Sequence, residues 1–314
     1  MSAAEPTLSG VAVPIPGRRR SAALLAAGAL VLASLFWGTS DVASKTALET
    51  LPPLTLSALR FGCALIALEI ICIRIGVRPA LGRRVAVLGL VGIGINYTAL
   101  YLGLQWTRAA DASLIHGAAP ALAVFLAVVF RGERPGRTAL VGVFASLCGV
   151  VIVALASGDH PRLEIGGNLL VLGSALCWAL FIVLGRPVFA ETNPVGVLTG
   201  AMRYAMLILI PVAAIEPALF HEGSISDIRI PAGALALYLG VACSAATFLL
   251  WGYALKHLQS SHAAAFGNLG PILGVAAGAL ILGDPLNARH LFGIVLVVGG
   301  VTVVAKASAA RETD

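Results

Sequence analysis

Charged residues are scarce in this sequence, and their scarcity excludes an ordinary soluble protein. Asp, Glu, Lys and Arg make up 11% of the 314 residues, whereas apolar residues make up 59%. Soluble domains contain about 25% charged residues. Several stretches of roughly twenty residues carry few or no charges, which is the length that crosses about 30 Å of membrane hydrocarbon. Because no polar amphipathic helices separate these stretches, we predict an all-α integral membrane protein.

Cysteine motifs and enzymatic motifs are also missing. The five cysteines are scattered through apolar stretches without CxxC or metal-ligand spacing, so we interpret them as small core residues and expect no metal site. The sequence contains no HExxH, GxSxG or Walker A motif, and no dinucleotide fingerprint after a strand. We therefore expect neither an enzyme nor a cofactor, and any transport should be driven by gradients.

Ten apolar stretches are predicted to span the membrane as helices. They cover residues 22–44, 54–75, 84–107, 110–130, 137–156, 166–187, 195–217, 231–255, 261–282 and 288–306. Polar tails, residues 1–21 and 307–314, flank them. The connections are short, so neighbouring helices should pack antiparallel.

The few basic residues predict the orientation of the chain. Residues 1–20 are polar and end in Arg18, Arg19 and Arg20, and the apolar run that follows is longer than a signal-peptide core. With a cytoplasmic N-terminus, fourteen Lys and Arg fall in inside segments and five in outside loops. This asymmetry predicts a multi-pass protein of the inner membrane with both termini in the cytoplasm. The net charge of +6 belongs to this topology, so we expect no nucleic acid as a partner.

The chain contains an internal repeat. Residues 109–152 match residues 260–303 at a constant offset of 151. The matched pairs include Pro120 and Pro271, Gly132 and Gly283, Gly142 and Gly293, and Gly149 and Gly300. The two halves, 22–156 and 166–306, contain five spans each, and an odd number of spans inverts the second half. Inverted repeats are typical of secondary transporters that alternate access around a central site.

Four sequence segments resemble the EamA-type members of the drug/metabolite transporter superfamily. They are "LFWGTSDVASK" at 35–45, "LSALRF" at 56–61, "GAAPALAVFLAVVFRGERP" at 117–135 and "GNLGPILGVAAGALILGDP" at 267–285. The resemblance implies a basket of ten helices that exports or imports small metabolites. It also implies that the first, third and fourth helices of each half line a central cavity. Asp41 stands where such proteins more often carry an uncharged residue.

Polar and aromatic residues inside these spans are the candidate site, because unpaired polar groups are costly in a membrane. The predicted cavity residues are Trp37, Asn96, Tyr97, Tyr101, His116, Trp178, Ser244, Thr247, Trp251 and Asn268. Several of them share a helix face, being three or four residues apart. Asp41 and His116 are the candidates for carrying a coupled proton, since histidine changes its charge near neutral pH.

Each of these residues also has a structural interpretation. A tyrosine can simply bond a neighbouring helix, and His116 can be satisfied by Ser113 or by another helix. Arg60 and Arg203 occupy matching positions in the two halves, where capping of carbonyls or snorkelling is expected. The remaining acidic residues are interpreted as local: Glu69 is expected to pair with Arg74, and Asp111 and Glu216 are expected to be solvated at the outer boundary.

These observations favour a secondary transporter that moves small metabolites across the inner membrane by alternating access. Amino acids are the favoured cargo, because aromatic residues with few fixed charges suit zwitterions; export is implied by the resemblance, and a monomer is expected. One alternative is a multidrug or cation exporter, which would need a carboxylate in the cavity, and Asp41 is the candidate. Another is an intramembrane lipid-modifying enzyme, for which His116 with Ser113 is too sparse a constellation.

Overall fold

The structure of the chain is a computed structural model that describes residues 16–132, 135–155, 161–220, 230–257 and 269–312. Within these ranges every regular element is helical, which confirms the predicted all-α class. The helices are α1 (Pro16–Ala47), α2 (Pro53–Ile75), α3 (Arg83–Leu104), α4 (Ala109–Phe130), α5 (Arg137–Ala154), α6 (Pro161–Glu191), α7 (Pro194–Phe220), α8 (Pro231–Ala254), α9 (Leu269–Leu282) and α10 (Ala288–Glu312).

Nine of these helices are long and apolar enough to cross a membrane, counted over the described residues. The tenth, α9, is apolar and covers Leu269–Leu282, while the predicted start of its span at residue 261 lies outside the described ranges. Most bounds agree with the prediction within a few residues. Three helices are longer than predicted: α1 starts at Pro16 rather than 22, α6 runs from Pro161 to Glu191 rather than over 166–187, and α10 ends at Glu312 rather than 306.

The internal repeat is visible in the backbone. A π-helical turn interrupts α3 at Leu90–Ile95, and a second one interrupts α8 at Val241–Ala246, the position 151 residues later. Gly132 and Gly283, also 151 apart, both have a left-handed φ, of 63° and 71°, in the turns that follow α4 and α9. Such a φ is adopted freely by glycine alone. The two halves therefore repeat one backbone plan.

Packing between the halves is reciprocal, as an inverted repeat requires. Helix α1 packs on α8 and α9, while its counterpart α6 packs on α3 and α4. Helix α2 packs on α7, and α5 packs on α10. Each half thus supplies one long helix, α1 or α6, that packs on two helices of the opposite half. This reciprocal packing confirms two related sets of five helices.

Glycines bring α5 and α10 close together. A Cβ added at Gly142 would lie 2.6 Å from the carbonyl oxygen of Gly300, and one added at Gly149 would lie 2.8 Å from a methyl group of Val297. Helices in lipid gain little from apolar burial alone, so close backbone packing at small residues is a principal source of association. The contact between α5 and α10 is therefore held by close approach of the two backbones.

Two acidic residues that were expected to be solvated are buried, so that prediction was wrong. Glu216, which is 1% exposed, lies on α7 and reaches the start of α2. Its carboxylate accepts hydrogen bonds of 2.7 Å from the backbone N–H groups of Leu54 and Thr55. These are among the N–H groups that a helix start leaves without an internal partner. Pro52, the N-cap residue, makes no side-chain cap, and Glu216 supplies it from another helix.

Asp111 is the second of these buried acids. It is 3% exposed at the start of α4, and its Oδ1 lies 2.9 Å from Nε2 of His290 on α10. Glu69 also differs from its predicted pairing. It binds Arg203 on α7, with Oε2 2.9 Å from Nη2, rather than Arg74 one turn along its own helix. In each case the partner comes from a helix distant in sequence.

Candidate functional site

Aromatic side chains from three helices and both halves meet between α1, α6 and α8, and we call this part of the bundle the central region. The ring centroids of Trp37 on α1 and Trp251 on α8 are 5.3 Å apart. Phe248, one turn before Trp251, lies 6.4 Å from Trp37 and 5.7 Å from Trp178 on α6. All four residues are half-buried, so part of each remains exposed. We call Trp37, Trp178, Phe248 and Trp251 the aromatic cluster.

The aromatic cluster contains three predicted site residues and one that the sequence interpretation missed. Phe248 is not among the predicted site residues because it is apolar, although its spacing of three residues from Trp251 places it on the same helix face. Ring faces at these separations are favourable for stacking with apolar or cationic groups. The cluster can therefore hold the apolar or the ammonium part of a small molecule.

Arg60 on α2 is only 2% exposed and binds α1 and α8, the helices that carry Trp37 and Trp251. Its Nε donates to Oγ of Ser244 at 2.9 Å, and its Nη1 donates to Oγ of Ser40 at 3.0 Å and to Oη of Tyr101 at 3.1 Å. The guanidinium carbon also lies 4.8 Å from the ring centroid of Tyr97. Arg60 on α2 thus joins α1, α3 and α8. It binds side-chain oxygens inside the bundle and neither snorkels nor caps a carbonyl.

The π-helical turns place several predicted residues in this region. Ser244 lies within the turn in α8 and donates to the carbonyl oxygen of Leu239, five residues back, at 3.0 Å. Thr247 makes the same kind of bond to Ala242 at 2.8 Å. A π-turn widens the helix and leaves carbonyls that such hydroxyls can satisfy. Ser244 is thereby held in place to accept the hydrogen bond from Arg60.

The predicted residues of α3 differ in what they can contact. Tyr97 is half-buried and packs edge-on against Phe61, with 4.4 Å between ring centroids. Tyr101 is fully buried and holds Arg60. Asn96, at 1% exposure, donates to the carbonyl oxygen of Gly92 on its own helix. Of these three residues, Tyr97 alone remains partly exposed, whereas Asn96 and Tyr101 are buried and contact only other protein groups.

Two polar links connect α4 to its neighbours in this region. Oγ of Ser113 donates to Oδ2 of Asp41 on α1 at 2.7 Å, and Asp41 is 8% exposed. His116 Nε2 lies 2.6 Å from Oγ of Ser174 on α6, so its partner comes from a neighbouring helix and not from Ser113. His116 is half-buried and precedes the interruption of α4 at Ala118, which Pro120 explains because proline cannot donate to the carbonyl four residues back.

One end of the bundle is tied together by polar contacts, and we call it the Lys45 end. Nζ of Lys45, near the end of α1, donates to the carbonyl oxygen of Thr107 at 2.7 Å. Oδ2 of Asp284 accepts a hydrogen bond from the backbone N–H of Ala110 at 3.0 Å. The Ala110–Asp284 bond and the Asp111–His290 contact connect the two halves at this end, while the Lys45–Thr107 bond joins two parts of the first half. The two contacts between the halves are the ones that would have to break if the bundle opened there.

Asn268, the last predicted site residue, lies outside the described residues. Within the described ranges no three His, Cys, Asp or Glu side chains are grouped so that they could hold a metal ion. The chemistry that the described site offers is binding: an aromatic cluster, a buried guanidinium, a buried carboxylate and an imidazole.

The sequence and the fold can both be compared with known proteins. The sequence model of the EamA-like transporter family matches residues 24–155 and again residues 165–306. An uncharacterised transporter of Archaeoglobus fulgidus is 27% identical over 290 residues, which cover 88% of this chain and 97% of the relative. A solved crystal structure with 21% sequence identity superposes with a TM-score of 0.64 and covers 94% of this chain and 99% of its own, which shows the shared fold.

Two further relatives carry more specific names. A protein of Streptantibioticus cattleyicolor, named a probable terminal-alkyne amino-acid exporter, is 28% identical and covers 91% of this chain and 95% of its own length. A protein of Salmonella typhimurium, named a probable amino-acid metabolite efflux pump, is 25% identical and covers 87% of this chain and 92% of its own length. The repeated family match and the helical fold lead to one conclusion: the chain belongs to the EamA-like transporter family and is a multi-pass membrane transporter, not an enzyme.

Proposed function

We propose that this chain is a secondary transporter that exports small metabolites, with amino acids as the substrate class, across the inner membrane. The observation that carries the proposal is the aromatic cluster, which both halves build and whose four residues remain partly exposed. Amphiphilic molecules with an apolar side chain and a polar backbone suit such rings. The names of the two relatives from Streptantibioticus cattleyicolor and Salmonella typhimurium support the amino-acid class and the outward direction.

Alternating access follows from the reciprocal packing of the halves. In inverted-repeat transporters, one set of helices rocks against the other around a fixed central site. Here α1 and α6 each pack on helices of the opposite half, and at the Lys45 end the two halves are joined by the Ala110–Asp284 and Asp111–His290 contacts. Because one chain supplies both sets, with proposed units at 22–156 and 166–306, we propose that the monomer is the working unit.

A multidrug or cation exporter is the second candidate, and Asp41 is the observation that favours it. A buried carboxylate near aromatic rings can attract an organic cation. Arg60 opposes this function, because a permanently charged guanidinium in the same central region repels a cation. Amino acids, which carry both charges, are compatible with both residues, and for that reason we favour them.

Counterflow in proteoliposomes tests the proposed function directly. Purified protein is reconstituted into vesicles loaded in turn with each of the twenty amino acids, and entry of the matching radiolabelled compound is followed, with tetraphenylphosphonium as the organic cation. We expect several amino acids to exchange about tenfold faster than in protein-free vesicles, because carriers raise exchange by binding energy at the site. Exchange of the cation alone would establish the second candidate and reject amino acids.

We also propose that both termini are cytoplasmic, on the basis of the fourteen-to-five distribution of Lys and Arg. Alkaline phosphatase and green fluorescent protein, fused in turn after Arg134 and after Asp159, report the side of each connection. Phosphatase should be active only at Asp159, and fluorescence should appear only at Arg134. The opposite pattern at both sites would reverse the proposed orientation, and equal signals at the two sites would contradict a single topology.

A further inference from the structure

Arg60 is a buried cation whose partners are all neutral. The three oxygens that it binds belong to Ser40, Tyr101 and Ser244, and the rings near its guanidinium carbon belong to Phe61 and Tyr97. Hydroxyl groups and ring faces lower the cost of burying a charge, but they do not neutralise it. A side chain that is 2% exposed therefore keeps a net positive charge at the centre of the bundle.

The matching arginine of the second half, Arg203, has an acidic partner. Arg203 is paired with the carboxylate of Glu69, with Nη2 2.9 Å from Oε2, and its side chain is 45% exposed. The more exposed of the two arginines thus has an acidic partner, whereas the buried one has none among the described residues. This is the reverse of what packing alone requires, because a buried charge loses most when it is left unpaired.

The hydrogen bonds of Arg60 leave one part of the guanidinium available. Nε and Nη1 donate to the three hydroxyl oxygens, while Nη2 has no hydrogen-bond partner among the described residues. The hydroxyls come from α1, α3 and α8, so the plane of the guanidinium is held from three sides. A guanidinium that is fixed in this way is prepared to bind a carboxylate oxygen without reorganising, and such a charge-assisted bond is among the strong ones.

We propose that Arg60 is the residue that binds the carboxylate of the transported substrate, and that the substrate is therefore a zwitterionic amino acid rather than an amine. This inference deepens the proposed function and depends on it. The apolar side chain and the ammonium group of the substrate lie against the aromatic cluster, where ring faces attract cations. Asp41 supplies the negative charge in the same central region. A zwitterion is matched by both residues, and its carboxylate completes the partners of Arg60.

The alternative is that Arg60 is only a clamp that holds α1, α2, α3 and α8 together. A clamp needs the hydrogen bonds but has no need for a charge that discriminates between substrates. The two roles therefore differ in one measurable property, which is the preference of the transporter for a carboxylate over its uncharged amide.

Wild-type protein alone can decide between these roles. The amino acid with the fastest counterflow is compared, as unlabelled competitor, with its own carboxamide, its decarboxylated amine and its 2-hydroxy acid. We expect the amide and the amine to compete about tenfold less well or worse, since each lacks the carboxylate that the buried guanidinium requires. Competition by the hydroxy acid would extend the class to carboxylates in general, and its failure would restrict the class to zwitterions. Equal competition by acid and amide would overturn the proposal.

Variants locate the preference at one residue. In Arg60→Gln, the ratio of acid to amide affinity should fall to near one, and Arg60→Lys, which keeps the charge, should restore part of it. Arg203→Gln is the matched control, and it should leave the ratio at its wild-type value. Folding of each variant is checked by its melting temperature in detergent. A folded Arg60→Gln protein with an unchanged ratio would overturn the proposal. A wild-type protein that exchanges none of the twenty amino acids would instead reject the proposed function, and this inference with it.

Discussion

Replacing Gly300 by valine is expected to destroy the folded transporter, whereas the same replacement at Gly299 leaves it intact. A Cβ at Gly300 would lie 2.5 Å from the carbonyl oxygen of Gly142 and 2.6 Å from the backbone N of Ser146. Backbone atoms of a packed helix cannot move aside as a flexible side chain can, so α5 and α10 would have to separate. We expect a loss of about 3 kcal/mol or more in the free energy of unfolding.

The neighbouring glycine makes this a controlled comparison. Gly299 is exposed, and no atom lies within 4 Å of a Cβ built there. Valine has the same low helix propensity at both positions, so that contribution cancels between the two variants. The measurement is the yield of monodisperse protein on size exclusion and its melting temperature. Equal yields and melting temperatures would show that the α5–α10 contact contributes little to stability.

Replacing Asp41 by asparagine is expected to abolish accumulation driven by a pH gradient. The carboxylate is 8% exposed and accepts a hydrogen bond from Ser113. Asparagine keeps the shape and can still accept that bond, but it cannot take up or release a proton. Ionisable residues inside membrane spans commonly carry coupled protons. Accumulation under an imposed gradient should therefore fall about tenfold or more. Counterflow needs no net proton movement and should persist, but at a higher substrate concentration, because the negative charge that matches the substrate's ammonium group is lost.

Two further variants determine which group carries the proton. Ser113→Ala removes the hydrogen bond but keeps the carboxylate, so gradient-driven accumulation should persist. His116→Gln removes the second candidate, whose Nε2 lies 2.6 Å from Ser174, and loss of driven accumulation there as well would indicate that both groups act together. Full driven accumulation in Asp41→Asn, at matched protein levels, would exclude Asp41 from coupling. The same result in His116→Gln would exclude the imidazole.

Much of the candidate site is recognisable in the sequence because its residues are unusual for a membrane span. Trp37, Trp178 and Trp251 stand out in apolar stretches, and the structure brings them into one cluster. Asp41 and His116 were likewise recognised as candidates. Phe248 was missed, because a phenylalanine in a span looks the same whether it faces lipid or a binding site. Arg60 is conspicuous in the sequence, but it binds hydroxyl groups inside the bundle instead of capping carbonyls or snorkelling.

The errors share one physical cause. Asp111 and Glu216 lie close to the ends of their predicted spans, and this position predicts solvation at the outer membrane boundary. Position along one helix, however, contains no information about which other helices pack beside it. Glu216 binds the backbone at the start of the neighbouring helix α2, and Asp111 binds His290 on α10. The offset of 151 correctly matched Gly132 with Gly283, yet the related positions of Arg60 and Arg203 acquired different partners.

The sequence by itself determined the membrane class, the helices and the inverted repeat, because transfer into lipid and helix length depend on each stretch alone. It also predicted that the two halves are related, since Gly132 and Gly283 recur at the offset of 151, and the structure gives both of them a left-handed φ. Only the tertiary structure decided that Arg60 binds three hydroxyl groups and, among the residues that the structure describes, no carboxylate. Which faces of distant helices meet depends on packing among all of them, and the π-turns at Leu90–Ile95 and Val241–Ala246 rotate those faces away from a regular helical period.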